Sequence, residues 1–197
     1  MTADDSTIKF YNENADQYRA RFAKNEPNAA LAAFIDMLPA GAHVLDLGCG
    51  PGNSAAMMNA AGLTAEGWDA SEEMVAVARE TFGVEARCAR FSDLDADGFY
   101  DGIWANFSLL HAPREEMAGH IAAIHRALKP GGVFHIGLKT GTGKARDQLE
   151  RLYTFYTVAE LEGLLTGAGF RIAAQREGVS RGMAGTEDPF VIMLAHA

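Results

Sequence analysis

The stretch VLDLGCGPG places three glycines at alternate positions, Gly48, Gly50 and Gly52, with Asp46 two residues ahead of the first. A second acid, Asp69, ends the next apolar segment, about twenty residues on, where the acid of a nucleotide-binding sheet takes ribose hydroxyls. Glycines at a strand end let a ligand touch bare backbone. Two details argue against pyrophosphate. The spacing is G-x-G-x-G rather than the G-x-G-x-x-G that seats a diphosphate on a helix N-terminus, and Pro51 removes one of the amide donors a phosphate needs. Asp46 adds a carboxylate that repels phosphate and suits a cation. The implied ligand has a ribose, no phosphate and a positive charge. S-adenosylmethionine meets all three conditions, and the same features disfavour a nicotinamide dehydrogenase.

Those residues need elements to hold them. Residues 43–48 read as a short buried strand, and 64–70, 85–91, 100–108 and 133–139 as four more. Helical patterns fill 53–61, 71–82, 113–127 and 157–170 between them. Ser71 caps the second of these helices, with Glu72 and Glu73 in its first turn. Thr157 and Glu160 form a capping box at the start of the last. LKPGG, residues 128–132, reads as a helix stop and turn. Residues 171–178 and 190–197 are strands with no helix between them, so they pair as a hairpin and one runs antiparallel. The expected fold is therefore α/β: a Rossmann-like, doubly wound, mostly parallel seven-stranded sheet with a C-terminal antiparallel hairpin strand. Two helices over 6–23 and 27–37 precede it and form an N-terminal helical lid. The chain reads as one domain, 1–197, with 1–40 as the cap and 41–197 as the core.

VLDLGCGPG resembles motif I of the class I S-adenosylmethionine-dependent methyltransferases. GWDAS is similar to their second-strand acid, RFSDL to their adenine-side segment, YDGIWANFSLLHAP to their fourth-strand motif and ALKPGGVFHIGLK to the motif after it. FYNENADQYRARF resembles the lead helix of the small-molecule branch. The resemblance implies that Gly48 and Gly50 pack on the methionine part, that Asp46 orients its amino group and that Asp69 takes both ribose hydroxyls. It implies Met74 against adenine, with Phe91, Ser92 and Asp93 at the third strand's end and Asp93 accepting from the adenine amine. Asn106 ends the fourth strand close to the methyl group, and Tyr11 and Tyr18 lie over the ligand. The residues leave other roles open: Asp46 as a helix-dipole partner, Met74 as core, Asp93 as a cap of a short turn.

The acceptor side is less marked. His111, past the fourth strand, is the best-placed base for an acidic acceptor. The polar stretch 139–156 carries Lys139, Lys144, Arg146, Arg151, Tyr153 and Tyr156 at the same end of the sheet. Lys139, Arg146, Arg151 and Tyr156 are the expected contacts to an anionic or carboxylate-bearing small molecule. His43, His120, His125 and His135 show no ligand pattern and read as structural or solvated. Asp93, Asp95 and Asp97 alternate without making a metal site, and Cys49 and Cys88 have neither metal nor disulfide spacing.

Net charge is −9 over 197 residues, which speaks against nucleic acid as a partner. No apolar run approaches the ~20 residues of a membrane helix. The acidic start, MTADDSTIKFYNENADQY, is unlike a signal peptide. A cytoplasmic monomer or homodimer is expected. The fourth strand ends ANFSL rather than in an Asn-Pro-Pro-aromatic pattern, and no Pro-Cys pair is present, so a small acceptor is favoured over nucleic acid. Two alternatives remain: a non-catalytic cofactor-binding partner of the same fold, and methylation of a protein side chain.

Overall fold

The computed structural model describes residues 5–22, 27–182 and 185–197. Its helices are α1 (Asp5–Glu13), α2 (Ala15–Phe22), α3 (Ala29–Asp36), α4 (Asn53–Ala60), α5 (Glu72–Phe82), α6 (Met117–Ala127) and α7 (Val158–Gly167). Its strands are β1 (His43–Leu47), β2 (Thr64–Asp69), β3 (Glu85–Cys88), β4 (Tyr100–Asn106), β5 (Leu128–Lys139), β6 (Lys144–Arg146), β7 (Leu152–Thr154), β8 (Arg171–Arg181) and β9 (Glu187–His196). Seven strands form one sheet in the order β3-β2-β1-β4-β5-β9-β8. The first five run parallel, and β9 lies antiparallel between β5 and β8, as the missing helix between the last two strands required.

Burial explains this order. Val44, Leu45 and Leu47 of β1 are all buried, as a strand covered on both faces demands. One face of the sheet carries Leu45, Leu47, Ile103, Phe134 and Ile136 against α6 and α7. The other carries Val44, Trp104 and Val133 against Leu31 and Phe34 of α3, Ala55 and Met58 of α4, and Val75 and Ala78 of α5. The caps form as expected: Ser71 Oγ accepts from Met74 N, and Thr157 and Glu160 make a reciprocal box.

The structure differs from the sequence reading in five places. The lead helix breaks at Asn14, whose side chain donates to Phe10 O and offers the backbone an alternative to the helical ladder; Ala23, the expected end, lies outside the described residues. α3 belongs to the core rather than the lid, with Phe34 fully buried against Trp104 at 5.2 Å. KPGG does not end the ladder: β5 begins at Leu128 opposite Tyr100, bulges, and resumes at Val133 opposite Gly102. β3 stops at Cys88, and Phe91–Asp93 form a 3-10 turn instead of strand. The stretch expected as a loop contains the β6–β7 hairpin. The KPGG and β3 changes sit at element ends, where short-range chemistry outweighs periodicity.

Candidate functional site

The carboxyl ends of β1, β2, β4 and β5 meet at one edge of the sheet, under α1 and α2. The turn after β1 is pinned from below, since Gly48 N and Cys49 N both donate to Trp68 O, at 2.7 and 2.9 Å. Gly48 has φ +78°, and a Cβ there would stand 2.2 Å from Ser108 Cβ, so nothing larger fits. Asp69 closes the turn from the side. Its carboxylate accepts from Gly50 N at 2.8 Å and from Ser71 N at 2.9 Å.

Asp46 is buried, at 3% exposure, and the backbone N–H of Ala55 at the start of α4 donates to it. Its Oδ2 has no partner. Burial, and after it the charge of Asp69, push the Asp46 carboxyl up to about 8. Burial raises Asp69 as well, against the pull of its backbone donors. Two acidic side chains stripped of water around a bare-backbone turn, one with an oxygen unpaired, suit a cationic group.

Two adjoining cavities open here. The first, about 100 Å³, has Gly48, Gly50, Asp69, Ser71, Met74 and Phe91 in its walls. The second, about 350 Å³, is bounded by Asp46, Pro51, Trp104, Lys139, Arg151 and Tyr153. Tyr11, Tyr18, Asn106, Phe107 and His111 line both and mark the junction. Together they reach the size of small-molecule sites, about 300–1,000 Å³.

A hydrogen-bonded chain crosses the junction. Arg151 Nη1 donates to the Tyr11 hydroxyl at 3.3 Å, and that hydroxyl lies 2.9 Å from His111 Nε2. His111 Nδ1 lies 2.6 Å from Leu152 O. A carbonyl only accepts, so Nδ1 carries the proton, Nε2 is the acceptor and Tyr11 donates to it. Burial, with Arg151 and Lys139 nearby, holds His111 down at about 4. Both its nitrogens are engaged, by Tyr11 and by the Leu152 carbonyl.

Arg151, 3% exposed in its side chain, is held by Asp147 through Nε at 3.0 Å and Nη2 at 2.6 Å. Lys139 pairs with Asp188 at 2.7 Å and lies 4.0 Å over the Tyr153 ring. Arg146 and Tyr156, expected alongside them, are not in the walls. Arg146 bonds Ser6 Oγ and Glu150 O, and Tyr156 is packed away under the Arg114 guanidinium. Ser92 and Asp93 also fall outside both cavities: Ser92 faces a small cleft beside His120, and the Asp93 carboxylate caps its own turn by accepting from Arg90 N at 2.8 Å.

A methyltransferase-domain family profile matches residues 44–132. Trans-aconitate 2-methyltransferase of Delftia acidovorans is 35% identical over 140 residues, which cover 66% of this chain and 51% of that one. The Burkholderia thailandensis 1,6-didemethyltoxoflavin N1-methyltransferase, solved with its acceptor and S-adenosylhomocysteine, superposes with TM-score 0.75 at 25% identity over 98% of this chain and 87% of that one. The chain resembles the class I S-adenosylmethionine-dependent methyltransferases in sequence and in fold. Magnesium protoporphyrin IX methyltransferase of Synechocystis, 19% identical, shares the fold at TM-score 0.75 over 98% of this chain and 99% of that one. The chain spans about half the length of the Delftia acidovorans relative, 51%. Among the described residues no helix is long and apolar enough to cross a membrane.

Several residues that shape this site were not singled out from the sequence, although Phe107 and Ser108 lie in YDGIWANFSLLHAP and Asn12 in FYNENADQYRARF. Phe107 follows β4 at φ 57°, a strained conformation for a bulky residue. Ser108 Oγ donates to Leu47 O at 2.6 Å and ties the ends of β1 and β4 together. Thr7 Oγ1 accepts from Leu152 N at 2.9 Å and Asn12 Oδ1 from Ser71 Oγ at 2.6 Å, fastening α1 over the junction from both sides.

Proposed function

We propose that this chain, acting as one domain over residues 1–197, transfers a methyl group from S-adenosylmethionine to a small-molecule acceptor bearing a carboxylate. The observation that carries the reading is the unpartnered Oδ2 of buried Asp46, beside Asp69, at the bare Gly48–Gly50 turn. In this reading Asp46 takes the α-ammonium, Asp69 takes the ribose hydroxyls, and the Gly48 and Gly50 backbone lies on the methionine part. Met74 and Phe91 lie against adenine in the first cavity, and Tyr11 and Tyr18 cover the ligand from the lid. When bound, the cofactor supplies a sulfonium methyl as the electrophile, and the protein contributes position and charge.

The acceptor occupies the second cavity. Lys139 and Arg151 stand in its walls, each already sharing a carboxylate, so an incoming anion has cations to join. A carboxylate held there would bring its own lone pair to the sulfonium methyl, with the cofactor's sulfur as leaving group, and no proton would have to move. A site whose histidine is occupied on both nitrogens suits that chemistry. The Delftia relative is named for trans-aconitate, a carboxylate.

Calorimetric titration of S-adenosylmethionine, S-adenosylhomocysteine and NAD tests the cofactor half. The first two are expected to bind and NAD is not; binding of NAD alone overturns the reading. Radiolabelled methyl transfer to trans-aconitate and other carboxylates, each against its amide, tests the acceptor half. Turnover of amides with carboxylates inert would place the anionic acceptor in error.

A further inference from the structure

His135 lies in the middle of β5, fully buried, in a row of side chains that crosses the sheet. Asp46 pairs in register with Trp104, Trp104 with His135, and His135 with Leu194 of β9. The imidazole stacks on the Trp104 ring with centroids 3.5 Å apart, and Phe34 stands edge-on at 6.4 Å. Burial alone pushes His135 down to about 3, so the ring is neutral and has one N–H to give. Nε2 lies 3.0 Å from Asn106 Oδ1, while Nδ1 is buried without a partner. An N–H stranded at the buried, unpartnered Nδ1 would cost more than a lone pair there, so the proton sits on Nε2 and donates to Asn106 Oδ1. A phenylalanine would fill this apolar slot without stranding a nitrogen. What the histidine adds is its bond to Asn106.

Gly137 serves the same carboxamide, since a Cβ there would stand 2.9 Å from Asn106 Oδ1. Asn106 lines both cavities at their junction. The two ends of a carboxamide are nearly the same size, so packing alone does not choose between them. An oxygen turned to the junction would repel an anion; the nitrogen donates to it. His135 supplies the donor that makes the choice.

We propose that His135 is a positioning residue that fixes the Asn106 carboxamide with its N–H donors toward the junction, where they hold the acceptor's attacking oxygen beside the methyl group. This rests on the methyl-transfer reading above. It extends that reading to a residue which touches neither ligand.

The test uses the full chain and has two arms. Long-range ¹H–¹⁵N spectra of wild type with S-adenosylhomocysteine added are expected to show His135 protonated on Nε2, with that N–H resonance shifted in Asn106→Ala. In the second arm, His135→Phe binds S-adenosylhomocysteine within about threefold of wild type while kcat toward the carboxylate acceptor, trans-aconitate first, falls about tenfold or more. His135→Gln, which offers an N–H at the same reach, recovers most of the loss, and His135→Phe adds nothing in an Asn106→Ala background. A proton on Nδ1, or additive losses in the double variant, overturns the proposal. Wild type that binds no S-adenosylhomocysteine or methylates no carboxylate would instead sink the methyl-transfer reading, and the spectra would still decide the His135–Asn106 bond.

Discussion

The two cavities meet at Tyr11, Asn106 and His111, yet they are built from different material. The first stands on the ends of β1, β2 and β4 and the start of α5, elements locked by a core that is buried on both faces of the sheet, and it shares with the second the lid helices α1 and α2 as a roof. The second has β1 and β4 on one side only. Its far walls are the β6–β7 hairpin, the tip of the β8–β9 hairpin and the lid, held by ion pairs and single hydrogen bonds. A cofactor common to a family can be seated on the invariant part of a fold. The part that selects an acceptor is hung from its edges, where it can vary without disturbing the sheet.

That contrast can be broken most severely at Gly48. Gly48→Ala sets a Cβ 2.2 Å from Ser108 Cβ at φ +78°, and should cost about 2–4 kcal/mol in urea unfolding while abolishing cofactor binding. If it unfolds like wild type, the turn is softer than the first cavity's rigidity implies. Asp69→Ala should weaken S-adenosylhomocysteine by at least about 100-fold in calorimetry, because two charge-assisted bonds of about 1.5–3 kcal/mol each are lost. Arg151→Met should do the reverse: raise the acceptor KM about tenfold in steady-state assays and leave S-adenosylhomocysteine affinity within about threefold. Equal effects on both ligands would dissolve the distinction between the cavities.

Asp46 sharpens the comparison through pH. An unfolded aspartate loses its proton near pH 4, whereas burial keeps Asp46 protonated up to about 8 in the free protein. The stability this gives is complete at acid pH and is lost as pH rises from about 4 to about 8. Cofactor binding has the opposite slope, since an ammonium needs the ionised form. Near pH 7, S-adenosylhomocysteine should therefore release a proton, read from calorimetry in buffers of different ionisation enthalpy, and Asp46→Asn should release less. The smallest expected effect is at Arg146. Outside both cavities, Arg146→Ala should change neither acceptor KM nor cofactor affinity, and a tenfold rise in KM would move the acceptor onto the hairpin's outer face.

The sequence carried the first cavity because its information is local. The glycines at alternate positions, Asp46 just before them and the Ser71 cap are short patterns readable from neighbours in the chain, and Asp69 sits at the end of the very next strand, from which it reaches Gly50 N. Strand–helix alternation then leaves few topologies for the sheet, and the lone final hairpin sets its antiparallel strand. What periodicity could not supply was the choice among similar polar side chains in one stretch. Arg151 reaches the site while Arg146, five positions earlier, binds the lid and its own turn, because Asp147 folds the hairpin around the first of them. Asp93 turned inward to its own backbone for the same short-range reason. His111 has its Nε2 met by Tyr11, a hundred residues away, and His135 looked inert until the β4–β5 register set it behind Asn106. Strand, turn and cap chemistry depends on neighbours in the chain. The state of a buried polar group depends on neighbours in space, and those exist only once the sheet has closed.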